Sequence, residues 1–113
     1  MKANIETVRE RIRAAAEAAG RAPESVRLVA VSKTVPAERV RGAVAAGLTL
    51  LGENYIQEAR DKIAALADLS VSWHFIGHLQ RNKAKYAVRL FELIHSVDSL
   101  KLARELDKEA AKH

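Results

Sequence analysis

The sequence has no cysteine. A disulfide framework and a thiolate metal site are both excluded, and a reducing, cytoplasmic setting fits. Aromatic residues make up 4% of the chain, which leaves few platforms for stacking nucleic-acid bases. No apolar run approaches the ~20 residues of a membrane span. The segment Met1–Glu10 is polar, carries both signs of charge and leads into no apolar signal core, so a secretory leader is not expected. A glycine-rich phosphate loop is also missing, neither GxGxxG nor GxxxxGKT being present, which weakens any nucleotide-binding sheet. A long block of one charge is lacking too. The net charge is +5, but basic residues alternate with acidic ones, as in Arg9-Glu10-Arg11 and Arg104-Glu105. That pattern is a solvated mixed surface, so neither nucleic acid nor a membrane is expected as a partner. The mild basic excess would suit an anionic, phosphorylated ligand.

What is present is a chain of 113 residues, 49% of them hydrophobic, enough for one domain with a real core. Ile5, Val8, Ile12, Ala15, Ala16 and Ala19 recur every three or four residues and predict a helix. Asn4 would cap it and Gly20 would stop it. The β-branched run Val26–Val31 predicts a buried strand. Pro36 then suits the first turn of a helix, with Val40, Ala43 and Val44 inward and an end near Gly47. Leu48–Leu51 predicts a second strand, closed by Gly52. Asn54 is placed to cap a helix whose inner face is Ile56, Ala59, Ile63 and Leu66. Val71–Ile76 predicts a third strand, Asn82 a cap for a helix to about Val88, and Leu90–Val97 contains a fourth strand. Asp98 or Ser99 opens a last helix with Leu102, Leu106 and Ala110 on one face.

An N-terminal helix followed by four β-α units implies an α/β fold with parallel strands and right-handed crossovers. With no phosphate loop, a (β/α) barrel is the favoured architecture. A complete barrel needs eight units and ~250 residues, so this single domain, residues 1–113, amounts to half of one. Two open sheet edges would favour self-association into a homo-oligomer.

In parallel α/β folds the ligand groups come from loops after the strands' C-terminal ends. Here these are Ser32-Lys33-Thr34, Gly52-Glu53-Asn54, Gly77-His78-Leu79-Gln80 and His95-Ser96-Val97-Asp98. Lys33 carries the most chemistry. A lysine just beyond a buried strand is expected to be partly desolvated, which lowers its pKa, and the neutral amine attacks aldehydes. An ordinary strand-end lysine has the same position. His74 and His78 are four apart but fall on a strand and its loop, not a helix, so no metal site is expected. His95 is ambiguous. Glu53 and Asp98 admit an acid–base reading beside plainer ones, an ion pair for Glu53 and a helix cap for Asp98. Asn54 is either a cap or a ligand contact.

Four stretches carry a resemblance. They are Val29-Ala30-Val31-Ser32-Lys33-Thr34, Leu51-Gly52-Glu53-Asn54-Tyr55-Ile56-Gln57-Glu58, the run Trp73–Lys83 and Ile94-His95-Ser96-Val97-Asp98-Ser99. In this order they resemble the pyridoxal phosphate homeostasis proteins. The resemblance implies a TIM barrel of fold type III, similar to the N-terminal domain of alanine racemase. It implies that Lys33 holds pyridoxal 5′-phosphate (PLP) as a Schiff base, that Asn54 lies near this cofactor, and that the protein serves vitamin B6 homeostasis. Members of that family are about twice as long, as a full barrel requires, and their phosphate-binding loops belong to the half not represented here. Two other readings stand beside this one. A PLP-dependent amino-acid racemase would need an acid/base residue opposite Lys33, and no catalytic residue can be assigned. A non-binding half-barrel would only self-associate.

Overall fold

The computed structural model describes residues 2–113. They form an α/β fold in which five helices accompany one four-stranded parallel sheet. The elements are α1 (Lys2–Ala18), β1 (Ala30–Val31), α2 (Ala37–Ala45), β2 (Leu50–Glu53), α3 (Ile56–Ala65), β3 (Ser72–Phe75), α4 (Ala84–Leu90), β4 (Leu93–Ile94) and α5 (Leu100–Ala110). Single 3₁₀ turns at Pro23–Ser25 and Arg81–Lys83 precede β1 and α4. The strand order is β1-β2-β3-β4, so every strand pairs with the next one in sequence.

Register decides which residues share a face. Ala30 pairs with Leu51, and Leu51 with Trp73. One residue on, Val31, Gly52, His74 and Leu93 form the next row. Side chains alternate along a strand, so these two rows point to opposite sides. The first side is the core. Leu51, Trp73 and Phe75 pack with Val40, Ala59, Leu66, Ala87, Phe91 and Leu102 from the helices and their ends. Phe75 and Phe91 meet with ring centroids 5.1 Å apart, within the range of favourable aromatic pairs. The helices α2 to α5 therefore cover one side of the sheet. On the other side Val31 is 52% and Leu93 51% exposed.

Helix ends follow glycine where the chain must turn left-handed. Gly20 (φ +72°) and Gly47 (φ +113°) both end helices. Behind them Arg21 N–H donates to Ala16 O (2.8 Å) and Leu48 N–H to Ala43 O (3.2 Å), the six-to-one bond of a Schellman turn. This also explains why β2 starts at Leu50 and not at Leu48: Leu48 is taken up by the end of α2. β1 is shorter than the apolar run Val26–Val31, because only Ala30 and Val31 find ladder partners on β2.

The asparagine caps are corrections. Asn4 lies inside α1, which already runs from Lys2. Tyr55, not Asn54, precedes α3, and no side chain caps it. Asn82 sits in the 3₁₀ turn, and α4 begins at Ala84 without a side-chain cap. Ser99 does cap α5, its hydroxyl accepting from Leu102 N–H at 3.1 Å. The apolar stripe of α1 is also less used than its spacing suggests, since Ala16 alone is buried and Val8 is exposed.

Candidate functional site

Because the strands are parallel, all their C-terminal ends lie at one end of the sheet. The ladder runs slightly past the strands and fixes the junctions there. Ser32 N–H donates to Gly52 O, Ile76 N–H to Glu53 O and His95 N–H to Phe75 O, each at 2.9 Å. Lys33, Asn54, His78 and His95 are thus carried on neighbouring junctions of one mouth.

Lys33 occupies the turn after β1 and is exposed. The expected partial burial of its ammonium is not found. What distinguishes Lys33 is how fully its flanks are hydrogen-bonded. Ser32 is buried, and its hydroxyl donates to a Glu53 carboxylate oxygen. Thr34 adopts φ +61°, a region costly for a residue with a branched Cβ, and its N–H donates to Glu58.

Asn54 follows β2 and is half-buried. Its side-chain oxygen is buried without a hydrogen-bond partner, an uncommon and costly condition. Behind it lies Gly77. A Cβ there would stand 2.3 Å from the Asn54 carbonyl oxygen, so only glycine allows the β3–α4 junction to lie against Asn54. Asn54 also lines a cleft of about 590 Å³ with Tyr55, Arg60, His78, Lys83 and Tyr86.

Glu53 is engaged through one carboxylate oxygen, while the other, Oε1, is buried without a partner. It is 0% exposed and pairs with Lys62 at 2.9 Å, which settles the plainer reading of this residue. Lys62 also meets Glu58 at 3.0 Å. Burial pushes the Glu58 carboxyl up, but hydrogen bonds from Lys62 and Thr34 and the Lys62 charge outweigh it and hold the group below its ordinary value. Sequence reasoning missed Lys62. The signal was there: position 62 lies three residues after Ala59 and four before Leu66, on the inward arc of α3, and four after Glu58.

His74 is 2% exposed on the side away from the helices, and its Nδ1 lies 2.9 Å from Nε2 of His95. Desolvation, reinforced by His95, lowers the His74 pKa below its ordinary 6.5. One of these two ring nitrogens donates and the other accepts, and the tautomer sets which. His78 and Asp98 are both well exposed and 3.8 Å apart, a loose surface contact of little energetic weight. Among the described residues no group of three or more His, Asp or Glu is arranged to hold a metal ion, and no helix is long and apolar enough to cross a membrane.

No protein-family model matches the chain. Whole-protein comparisons do. It is 56% identical over 106 residues to the pyridoxal phosphate homeostasis protein of Pseudomonas aeruginosa, covering 94% of this chain and 46% of that protein. It is 44% identical over 109 residues to the Escherichia coli K12 protein of the same name, covering 94% and 47%. Among solved structures it resembles PipY of Synechococcus elongatus in its PLP-bound form, with TM-score 0.77 and 48% identity over 89% of this chain and 48% of that one. The chain spans about half the length of the curated relatives it matches.

Proposed function

We propose that this chain, a homologue of the pyridoxal phosphate homeostasis proteins, binds PLP through a Schiff base on Lys33 and serves in vitamin B6 homeostasis. The observation that carries the reading is its 48% identity to PipY, which has been solved with PLP bound. Two features of the chain's own residues fit such a ligand. Lys33 offers an exposed primary amine beyond the end of a strand. Asn54 offers a buried acceptor oxygen without a partner, which a hydroxyl or ring N–H of a ligand would satisfy. When bound, PLP supplies an aldehyde for imine chemistry and an electron-withdrawing ring. The chain's own contribution is the amine, the polar contact and a fixed turn.

Residues 1–113 are proposed to form half of a (β/α)8 TIM barrel in a cytoplasmic protein. Consecutive strand order and helices on one side of the sheet support this, as does the half-length match. Self-association through the edge strands β1 and β4 belongs to the same proposal.

The test is direct. The protein is incubated with PLP, the near-ultraviolet and visible spectrum is recorded, and borohydride then fixes any imine for peptide mapping. The expected result is one modified residue, Lys33, and no such product in Lys33→Ala. Equal labelling of Lys33→Ala overturns the reading.

A further inference from the structure

We propose that Lys62, Glu53 and Glu58 act together as a positioning unit for Lys33, an inference that rests on Lys33 being the cofactor lysine. None of the three is adjacent to Lys33 in sequence. All three act on the residues that flank it. The Lys62 ammonium has three protons, and all are used: Ser32 O at 2.5 Å, Glu53 at 2.9 Å and Glu58 at 3.0 Å. Glu53 in turn accepts from the Ser32 hydroxyl, and Glu58 accepts from Thr34 N–H. Ser32 is thereby tied through its N–H, its carbonyl and its side chain, and Thr34 through its N–H.

Three physical points make this more than a stabilising cluster. Taking an ammonium and a carboxylate out of water is costly, yet the side chains of Lys62 and Glu53 are only 5% and 0% exposed, with every Lys62 proton used and one Glu53 oxygen, Oε1, left buried without a partner. Thr34 sits in the left-handed region at φ +61°, and such a conformation persists only when its surroundings over-determine it. The turn closed by Val35 N–H on Ser32 O (3.1 Å) and the Glu58 bond to the Thr34 N–H together do so. Finally, both clamps end one residue from Lys33 and leave its side chain exposed. The turn is held while the amine is left to react, which lowers the ordering cost of binding a ligand there.

Glu58 is the residue to test, because its side chain is 27% exposed and its loss leaves the Glu53–Lys62 pair intact. Three forms are compared: the unaltered protein, Glu58→Ala and Glu58→Gln. Hydrogen exchange of the Thr34 amide is measured by NMR without PLP, and the rate of borohydride-fixed labelling of Lys33 is measured with PLP. Glu58→Ala should speed Thr34 exchange and slow Lys33 labelling, each about tenfold, the lower end of what a hydrogen bond to a charged group contributes. Glu58→Gln keeps an acceptor oxygen for Thr34 and should recover most of both, with unchanged far-UV circular dichroism throughout. Faster exchange with unchanged labelling makes the cluster merely structural and overturns the inference. So does Glu58→Ala behaving as the unaltered protein in both measurements. Absence of Lys33 labelling in the unaltered protein overturns the PLP reading instead, while Thr34 exchange still decides whether Glu58 holds the turn.

Discussion

On one side of the sheet Leu51, Trp73 and Phe75 lie under α2, α3 and α4 in a continuous apolar cluster. On the other, Val31 and Leu93 stand half exposed, and the buried group between them is a histidine, His74, bonded to His95. The same strands supply both sides, one residue out of phase. The covered side is closed by hydrophobic burial, while the bare side keeps polar chemistry and apolar surface together. Stability should therefore reside on one side and ligand or partner contacts on the other.

The largest test of this contrast pairs Phe75→Ala with Leu93→Ala. Phe75 is 1% exposed inside the cluster, and its truncation should cost about 3–5 kcal/mol. Leu93 is outside that cluster, and its truncation should stay within about 0.5 kcal/mol. Urea titration of both variants measures the gap, and equal losses would erase the distinction between the sides. Next in size, Gly77→Ala should cost about 1–3 kcal/mol, because the added methyl meets backbone atoms of Asn54 and the junctions must separate. A chemical-shift change centred on Asn54 would identify the cause.

The His74–His95 pair gives a smaller, pH-dependent signature. The folded-state pKa of His74 is depressed by burial and by His95, so below the ordinary 6.5 the unfolded chain binds more protons than the folded one. Stability should be flat above pH 6.5 and fall as the pH drops toward the folded-state value. Glu58 and Glu92, also held below their ordinary 4.5, contribute only at lower pH. Melting scans between pH 7.5 and 5 should lose this slope in His74→Phe, with the pH values chosen to span that ~6.5 reference. The smallest effect is at Ser99, whose cap on α5 is worth about 1 kcal/mol. Ser99→Ala should lower stability by that much without touching either side of the sheet.

The order of helices and strands was legible because apolar spacing of three and four, or of two, is set by which side is buried. Gly20 and Gly47 marked helix ends because both require positive φ. Strand limits were not legible: Leu48 is as apolar as Leu50, and only the closing bond to Ala43 assigns it to a helix end. The asparagine caps failed for a related reason. Asn is suited to capping at positions 4, 54 and 82 alike, and only the path of the backbone decides whether the side chain meets free N–H groups. For the site, the junction positions of Lys33 and Asn54 followed from strand–helix alternation. The Lys62 cluster did not, because its partners are 4, 9 and 30 residues away and meet only once the sheet has formed.

The strand order described above also bears on how the protein is made. Ala30 meets Leu51, Leu51 meets Trp73 and His74 meets Leu93, so each pairing closes a loop of about twenty residues, a modest entropy cost. As the polypeptide leaves the ribosome, every new strand finds its partner already synthesised and waiting at the growing edge. The sheet can be laid down in the direction of translation, with the outer edge of β1 and the newest strand both unpaired at each stage.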